Sequence, residues 1–176
     1  MNSSSHARYG KFALMILASM IVMYGVMYLN SYEISHVRFS EMRLYMTLVM
    51  GGTMGALMLG FMLGMYKDTK KNAAIVAVSA LLFIGGLWLA RSQTTVEDNS
   101  WMRAMIPHHS IAILTSERAQ IKDARVKKLS REIIAAQRRE IAEMEWLIED
   151  IERHGPAQTE ADAKARPVPD FSSKAP

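Results

Sequence analysis

Residues 44–66 read LYMTLVMGGTMGALMLGFMLGMY and contain no charged side chain. As a helix that rises about 1.5 Å per residue, this run is about 34 Å long, enough to cross a hydrocarbon core about 30 Å thick. Two more uncharged runs, at 12–29 and 73–90, flank it in the sequence. The N-terminal part of the chain, 1–92, therefore predicts a transmembrane domain of three helices, with the lipid bilayer as its surroundings.

The first run could be mistaken for a secretory signal peptide. It is long for the apolar core of such a peptide, and the sequence LNSY at 29–32 offers no small-x-small cleavage site. We therefore expect a signal anchor that stays in the protein.

Basic residues in the short connecting segments predict the orientation in the membrane, because cytoplasmic loops carry the excess of Lys and Arg. The segment before the first run and the segment between the second and third runs contain Arg8, Lys11, Lys67, Lys70 and Lys71. The segment between the first and second runs and the segment after the third contain Arg38, Arg43 and Arg91. The larger set places the N-terminus in the cytoplasm. The C-terminal part is then periplasmic or extracellular, on the outer face of a bacterial cytoplasmic membrane.

The second apolar run is rich in Met and Gly, and each recurs at four-residue steps. Small residues at this spacing allow close helix packing in lipid. The Met row winds around the helix, because four residues overshoot one turn by about 40°. Flexible apolar packing is its ordinary explanation, and a thioether ladder that passes copper along is the alternative. No carboxylate, His or Lys lies inside any run, which disfavours a proton relay.

The C-terminal part predicts two helices that form a hairpin over 93–155. The sequence TTVE at 94–97 matches a capping box, so the first helix is expected from near Val96 to about Gln120, with Pro107 interrupting it. Asp123 is the expected N-cap of a second helix that ends at His154, before Gly155. The remainder, 156–176, is rich in Ala, Pro and charge and predicts a disordered tail.

The second of these helices carries one apolar stripe, formed by Ile134, Ile141, Met144, Ile148 and Ile151. A two-helix hairpin would leave such a stripe half exposed. A four-helix bundle made from two chains would cover it, so we expect a homodimer or a higher homo-oligomer. The expected fold is all-α: three transmembrane helices followed by this hairpin.

The segment WMRAMIPHH at 101–109 places two thioethers and two imidazoles within two and a half turns of helix. Thioether sulfur with imidazole nitrogen suits copper, above all Cu(I). His109 with Met102 and Met105 is the tidiest trio, because His108 diverges from His109 by about 100°. His108 could reach a partner chain or a second ion, and Met144 lies on the next helix.

Several other classes of site are disfavoured. The chain has no Cys, so thiolate chemistry is excluded. Glu140, Glu143 and Glu145 lie among arginines and are expected on a solvated charged face. A di-iron carboxylate site would need a Glu-x-x-His motif, which the chain lacks there. The net charge of +4 comes without a basic, aromatic-laced face, so nucleic acid is not an expected partner.

The residues MIPHHSIAI at 105–113 resemble the signature of the "domain of unknown function" family DUF305, and a block with AQ at 136–137 and EIAEM at 140–144 is similar to that family's second block. The resemblance implies a ferritin-like helical bundle in the cell envelope, linked in some members to copper binding and copper tolerance. Met105, His108, His109 and Met144 match the family's metal-site positions, and Met102 matches less closely. Larger members carry two His-His halves, whereas this chain has one, so its bundle would come from oligomerisation.

The leading hypothesis is a membrane-anchored copper-binding protein, not an enzyme, that sequesters Cu(I) or hands it to a copper-handling partner protein. Binding should weaken near about pH 5 to 6, because an imidazole ligand must be neutral. The alternative is a structural or interaction module without a metal. A third reading, an enzyme that oxidises Cu(I), lacks a substrate pocket in the sequence pattern.

Overall fold

The computed structural model describes residues 2–174, with side chains over 6–173, and this part of the chain is helical without a strand. The helices are α1 Asn2–Val26, α2 Glu41–Met62, α3 Thr69–Ser92, α4 Asp98–Arg118, α5 Ala124–His154 and α6 Glu160–Ala165, with short 3-10 turns at Ile34–His36 and Ser172–Lys174. The all-α prediction is confirmed. The chain divides into a membrane unit, Met1–Leu29 with Glu41–Val96, and a C-terminal unit, Asn30–Ser40 with Glu97–Pro176.

Three helices of the membrane unit are long and apolar enough to cross a membrane: His6–Val26 within α1, then α2 and α3. The second helix begins and ends a few residues earlier than the uncharged run at 44–66. It ends at Met62, and Asp68 starts α3 by accepting hydrogen bonds from the backbone N–H groups of Lys70 and Lys71. The polar cap at Asp68 therefore sets the start of α3, which lies before the uncharged run at 73–90 begins.

Close packing of α2 on α3 depends on glycine. A Cβ at Gly52 would overlap the carbonyl oxygen of Ser79 and lie 2.8 Å from the backbone nitrogen of Phe83. A Cβ at Gly86 would lie 2.9 Å from the carbonyl oxygen of Tyr45. By contrast, Gly60 has no atom within 4 Å of its Cβ position. The four-residue pattern thus serves helix contact in one half of α2 only.

Methionine contributes to packing in the membrane unit. Met58 and Met62 pack against an apolar cluster that contains Leu59 and Tyr66. Met20 of α1 fills the space over Gly51, where a Cβ would lie 2.7 Å from its terminal methyl carbon. The contacts of Met58 and Met62 support the interpretation of the Met row as gap-filling side chains.

In the C-terminal unit, α4 and α5 form the expected hairpin, with one change at its start. The capping box is made by Glu97 and Ser100, so α4 begins at Asp98, two residues later than the predicted start near Val96. Asp123 caps α5 as predicted. The Arg125 side chain and the backbone N–H groups of Arg125 and Val126 bond to the Asp123 carboxylate and hold its pKa below the usual range.

The stripe on α5 is covered in part within one chain. Ile141 and Met144 are buried against Ile106 and Ile113 of α4, and Tyr32 packs against the same cluster. Tyr32 belongs to residues 30–40, which connect α1 to α2 but group with the C-terminal unit. A third layer therefore comes from the chain itself, while Ile134, Ile148 and Ile151 of the stripe are only partly buried. The homodimer stays a prediction.

The segment after Gly155 differs from the predicted disordered tail. Thr159 and Asp162 form a capping box that starts α6. Arg166 then binds back to α5, 2.6 Å from the Asp150 carboxylate and 3.1 Å from the carbonyl oxygen of Gly155. Composition does not predict such a contact, in which one guanidinium bonds to two separate acceptors on or next to α5.

Candidate metal centre

The site lies where α4 and α5 run antiparallel. Arg103 pairs with Glu152 at 2.5 Å, and Glu117 pairs with Arg138 at 2.6 Å. Residue numbers therefore rise along α4 as they fall along the facing part of α5. Between these pairs, His109 of α4 meets Glu140 of α5.

This register places two pairs of residues at matching levels along the two helices. Met105 lies one turn before His109 on α4, and Met144 lies one turn after Glu140 on α5. Because the helices are antiparallel, both steps lead in the same direction, and Met105 packs against the apolar cluster that contains Met144. The hairpin thus carries a layer of imidazole and carboxylate next to a layer of two thioethers.

Both ring nitrogens of His109 have partners. Nδ1 lies 2.9 Å from the carbonyl oxygen of Met105, and Nε2 lies 2.8 Å from Oε2 of Glu140. A carbonyl oxygen only accepts, so Nδ1 carries a proton and donates it. The His109 side chain is 12% exposed. The ring is therefore fixed in orientation, with Nε2 as the nitrogen that can exchange a proton for a metal ion.

Such an arrangement is the one that metal-binding histidines commonly use. A ligating imidazole donates its second N–H to a backbone carbonyl or carboxylate, which sets the tautomer and raises the basicity of the ligating nitrogen. Met105 supplies that carbonyl here. Residue Met105 therefore contributes twice, with its backbone to the imidazole and with its thioether to the adjacent layer.

The predicted thioethers are in the core of the hairpin. Met102 and Met144 are 4% and 6% exposed and belong to one buried cluster with Ile106, Ile113 and Ile141. Met105 is half-buried at the edge of this cluster. The structure thus brings Met102, Met105 and Met144 together in one apolar cluster, and the backbone of Met105 contacts His109.

His108 is the predicted residue that the structure sets apart. Its side chain is exposed, and its ring centre lies 6.1 Å from that of His109 with the planes at 64°. Adjacent positions on a helix diverge by about 100°, and Pro107, which is buried inside α4, does not bring the two rings to one point. His109 is placed in the hairpin and His108 is directed to solvent.

Glu140 makes a contact that the sequence did not predict. It was expected on a solvated charged face; its side chain is 40% exposed, and its carboxylate also contacts the His109 ring. Arg139 approaches the other carboxylate oxygen at 4.0 Å. The signal available in the sequence was the four-residue spacing from Glu140 to Met144, which matches the spacing from Met105 to His109.

A second polar cluster lies one residue beyond His109, and nothing in the sequence pattern pointed to it. Ser110 is fully buried, and its Oγ accepts the backbone N–H of Tyr32 at 2.7 Å. Nδ1 of His36 lies 3.0 Å from the same oxygen. This cluster borders a cavity of about 360 Å³ that Glu33 and Arg138 also line. It fastens residues 30–40 to α4.

Among the residues that the structure describes, no three His, Asp or Glu side chains are grouped so that they could hold a metal ion. His109 and Glu140 supply only two such donors. A metal ion bound there would therefore need sulfur from the neighbouring methionines, or water, to complete its coordination.

The described fold is that of an all-helical protein with three helices that could cross a membrane and a C-terminal helical hairpin. A family model, "Domain of unknown function (DUF305)", matches residues 89–171. The chain is also 31% identical over 140 residues to an uncharacterized protein, L153, of Acanthamoeba polyphaga mimivirus, an alignment that covers 78% of this chain and 90% of the viral protein. The chain belongs to the DUF305 family, as the resemblance predicted.

The aligned stretch is longer than the matched domain, so the similarity to the viral protein extends into the N-terminal half. No solved structure matches the chain.

Proposed function

We propose that this protein is a membrane-anchored copper-binding protein that sequesters Cu(I), or hands it on, at the outer face of the cytoplasmic membrane. One observation carries the proposal: the Met105 carbonyl holds Nδ1 of the His109 ring, so that Nε2 is the nitrogen left to bind a metal ion, one turn from Met105. Copper is the cargo, and copper homeostasis or tolerance is the proposed role.

The chemistry of the donors supports copper over harder metals. Thioether sulfur is a soft ligand that favours Cu(I), and imidazole binds copper in either oxidation state. The buried aliphatic side chains around Met102 and Met144 exclude water from the sulfur atoms. An apolar cluster of thioethers beside a single imidazole suits reversible binding and transfer, and the proposal involves no catalysis.

Contacts inside the C-terminal unit support the proposed topology. Residues 30–40 bond to Ser110 of α4, so the loop after α1 and the hairpin must lie on the same side of the membrane. In the sequence, α2 and α3 separate them, and two crossings return the chain to the side it left. With the N-terminus in the cytoplasm, both the loop and the hairpin are outside.

Delivery would involve a further protein. The ring of His108 is exposed beside the site, where it could meet the ligands of a copper-handling partner protein. A second copy of the chain is the other proposed partner, in a homodimer or a higher oligomer.

The test compares two adjacent histidines that differ in placement. The full-length protein is purified in detergent, loaded with Cu(I) under reducing conditions, and its copper content is measured after gel filtration. His109→Ala should lose the bound copper, whereas His108→Ala, the matched control, should retain it. Equal retention by both variants would contradict the assignment, and so would unaltered protein that binds no Cu(I).

A second candidate function is a membrane-anchored interaction module without a metal. It is favoured by the fact that both ring nitrogens of His109 already have partners in the chain, as in a histidine with a structural role. This function predicts that copper chelators leave the thermal stability of the protein unchanged, and that added Cu(I) does not raise it.

A further inference from the structure

The hairpin places two kinds of donor side by side. His109 and Glu140 present nitrogen and carboxylate oxygen at one level. Met105 and Met144 present thioether sulfur one turn away. Carboxylate is a hard ligand that thioether sites for Cu(I) do not need, and tetragonal nitrogen and oxygen ligation is typical of Cu(II).

We propose that Glu140 is itself a metal ligand, and that with His109 it enables the site to hold copper as Cu(II), while His109 with the thioethers holds Cu(I). This inference rests on the proposed copper-binding function and extends it to a second oxidation state. Glu140 is then the residue that decides whether Cu(II) is accepted.

The spacing of the two donor atoms fits such a role. Nε2 of His109 and Oε2 of Glu140 are 2.8 Å apart. Two atoms that each lie about 2.0 Å from one metal ion, at an angle of about 90°, are separated by about 2.8 Å. A metal ion can therefore replace the proton between Nε2 and Oε2 without a change in the distance between these two atoms.

The exposure of the two layers to water supports the same assignment of metal ions. The Glu140 side chain is 40% exposed, so water can complete the coordination of an ion there. The guanidinium of Arg139 lies 4.0 Å from Oε1 of Glu140. The sulfur of Met144 lies in the buried cluster instead. A hydrated divalent ion therefore fits the layer of His109 and Glu140, and a soft monovalent ion fits the layer of thioethers.

The experiment is a pair of titrations on full-length protein in detergent, with Cu(II) and with Ag(I), a redox-inert substitute for Cu(I). Glu140→Gln retains an oxygen that can accept from His109 but removes the charge. It should raise the Kd for Cu(II) by about tenfold or more, as loss of a ligand or its support does, and change the Kd for Ag(I) by less than about twofold. Glu143→Gln, on the same helix, is the matched control and should change neither.

Conservative rescue and spectroscopy separate ligation from a structural role. Glu140→Asp should recover part of the Cu(II) affinity, and the electron paramagnetic resonance spectrum of bound Cu(II) should change in Glu140→Gln but not in Glu143→Gln. An unchanged Cu(II) Kd in Glu140→Gln, or equal losses for both metals, would overturn the inference even where Ag(I) binds. Unaltered protein that binds Ag(I) but no Cu(II) would overturn it too. If neither metal binds, the proposed function itself fails.

Discussion

The carbonyl oxygen of Met105 accepts a hydrogen bond from Nδ1 of His109, at 2.9 Å, across one turn of α4. The bond commits one ring nitrogen to the backbone and leaves the other, Nε2, for Glu140 or a metal ion. The preceding turn thus determines which ring nitrogen of His109 is available to a metal ion, and this can be examined without a mutation.

Metal binding should change one ring nitrogen of His109 and spare the other. In nitrogen-15 spectra of selectively labelled protein, Ag(I) should shift the Nε2 resonance, while Nδ1 keeps its proton, because the carbonyl of Met105 continues to accept it. His108 supplies the internal control, since its resonances should stay in place. Loss of the Nδ1 proton on binding would contradict the assigned tautomer.

Replacing buried methionine by leucine should separate packing from ligation. Met144→Leu conserves volume, so the free energy of unfolding should fall by less than about 1.5 kcal/mol. The Kd for Ag(I) should nevertheless rise severalfold, because one thioether is lost. Met58→Leu, in the membrane unit, is the control and should leave the Kd as it is. If Met144→Leu binds Ag(I) as tightly as unaltered protein does, its sulfur is not a ligand.

Removing the Ser110 hydroxyl should loosen the segment 30–40. Ser110→Ala leaves the backbone N–H of Tyr32 without its acceptor, which costs about 1–3 kcal/mol for a buried donor. The measurement is amide hydrogen exchange of peptides that contain Tyr32, which should become faster. Thr115→Ala is the control, because its hydroxyl bonds only to carbonyls of α4. Equal protection in both variants would show that the Ser110 bond is unimportant.

A methyl group at Gly52 should disturb the contact of α2 with α3. Gly52→Ala would meet backbone atoms of Ser79 and Phe83, which cannot move aside as a side chain can, so we expect a loss of about 1–3 kcal/mol. Gly60→Ala meets no atom within 4 Å and gains helix propensity. Thermal unfolding in detergent should rank Gly60→Ala at or above the unaltered protein and Gly52→Ala below both. The reverse order would refute this packing.

The cap of α5 should make stability depend on pH in the acid range. Because the pKa of Asp123 is lowered in the folded protein, chiefly by the Arg125 side chain, its contribution is complete above the usual Asp range. It is lost as the pH falls below about 4 and through the lowered value. Asp123→Ala should therefore lower the unfolding temperature at pH 7 but hardly at pH 2. Asp123→Asn, an uncharged cap, should lower it less at pH 7 than Asp123→Ala does. An effect of Asp123→Ala that is the same at both pH values would contradict this linkage.

The parts of the fold that follow from local chemistry could be predicted from the sequence. Apolar length gave the three long helices, and Asp123 with Gly155 delimited α5, because caps act on neighbouring residues. The start of α4 was harder to place, since Thr94–Glu97 and Glu97–Ser100 both offer capping side chains and the structure uses the second. The ordered segment after Gly155 depends on Arg166 reaching Asp150, a contact that composition cannot register.

The site was only partly predictable for a related reason. Helical spacing joined Met102, Met105 and His109, because those residues share one helix. Glu140 required the register between two helices, which the paired charges of the hairpin fix in three dimensions. The contact of Ser110 with Tyr32 joins residues 78 positions apart and leaves no periodic trace in the sequence.

The copper X-ray absorption spectrum of full-length protein loaded with one equivalent of Cu(I) tests the central proposal most directly. We expect scattering from thioether sulfur together with a single imidazole, and loss of the imidazole contribution in His109→Ala but not in His108→Ala. A spectrum with nitrogen and oxygen neighbours alone, or one that His109→Ala leaves unchanged, would contradict a soft-metal site between α4 and α5.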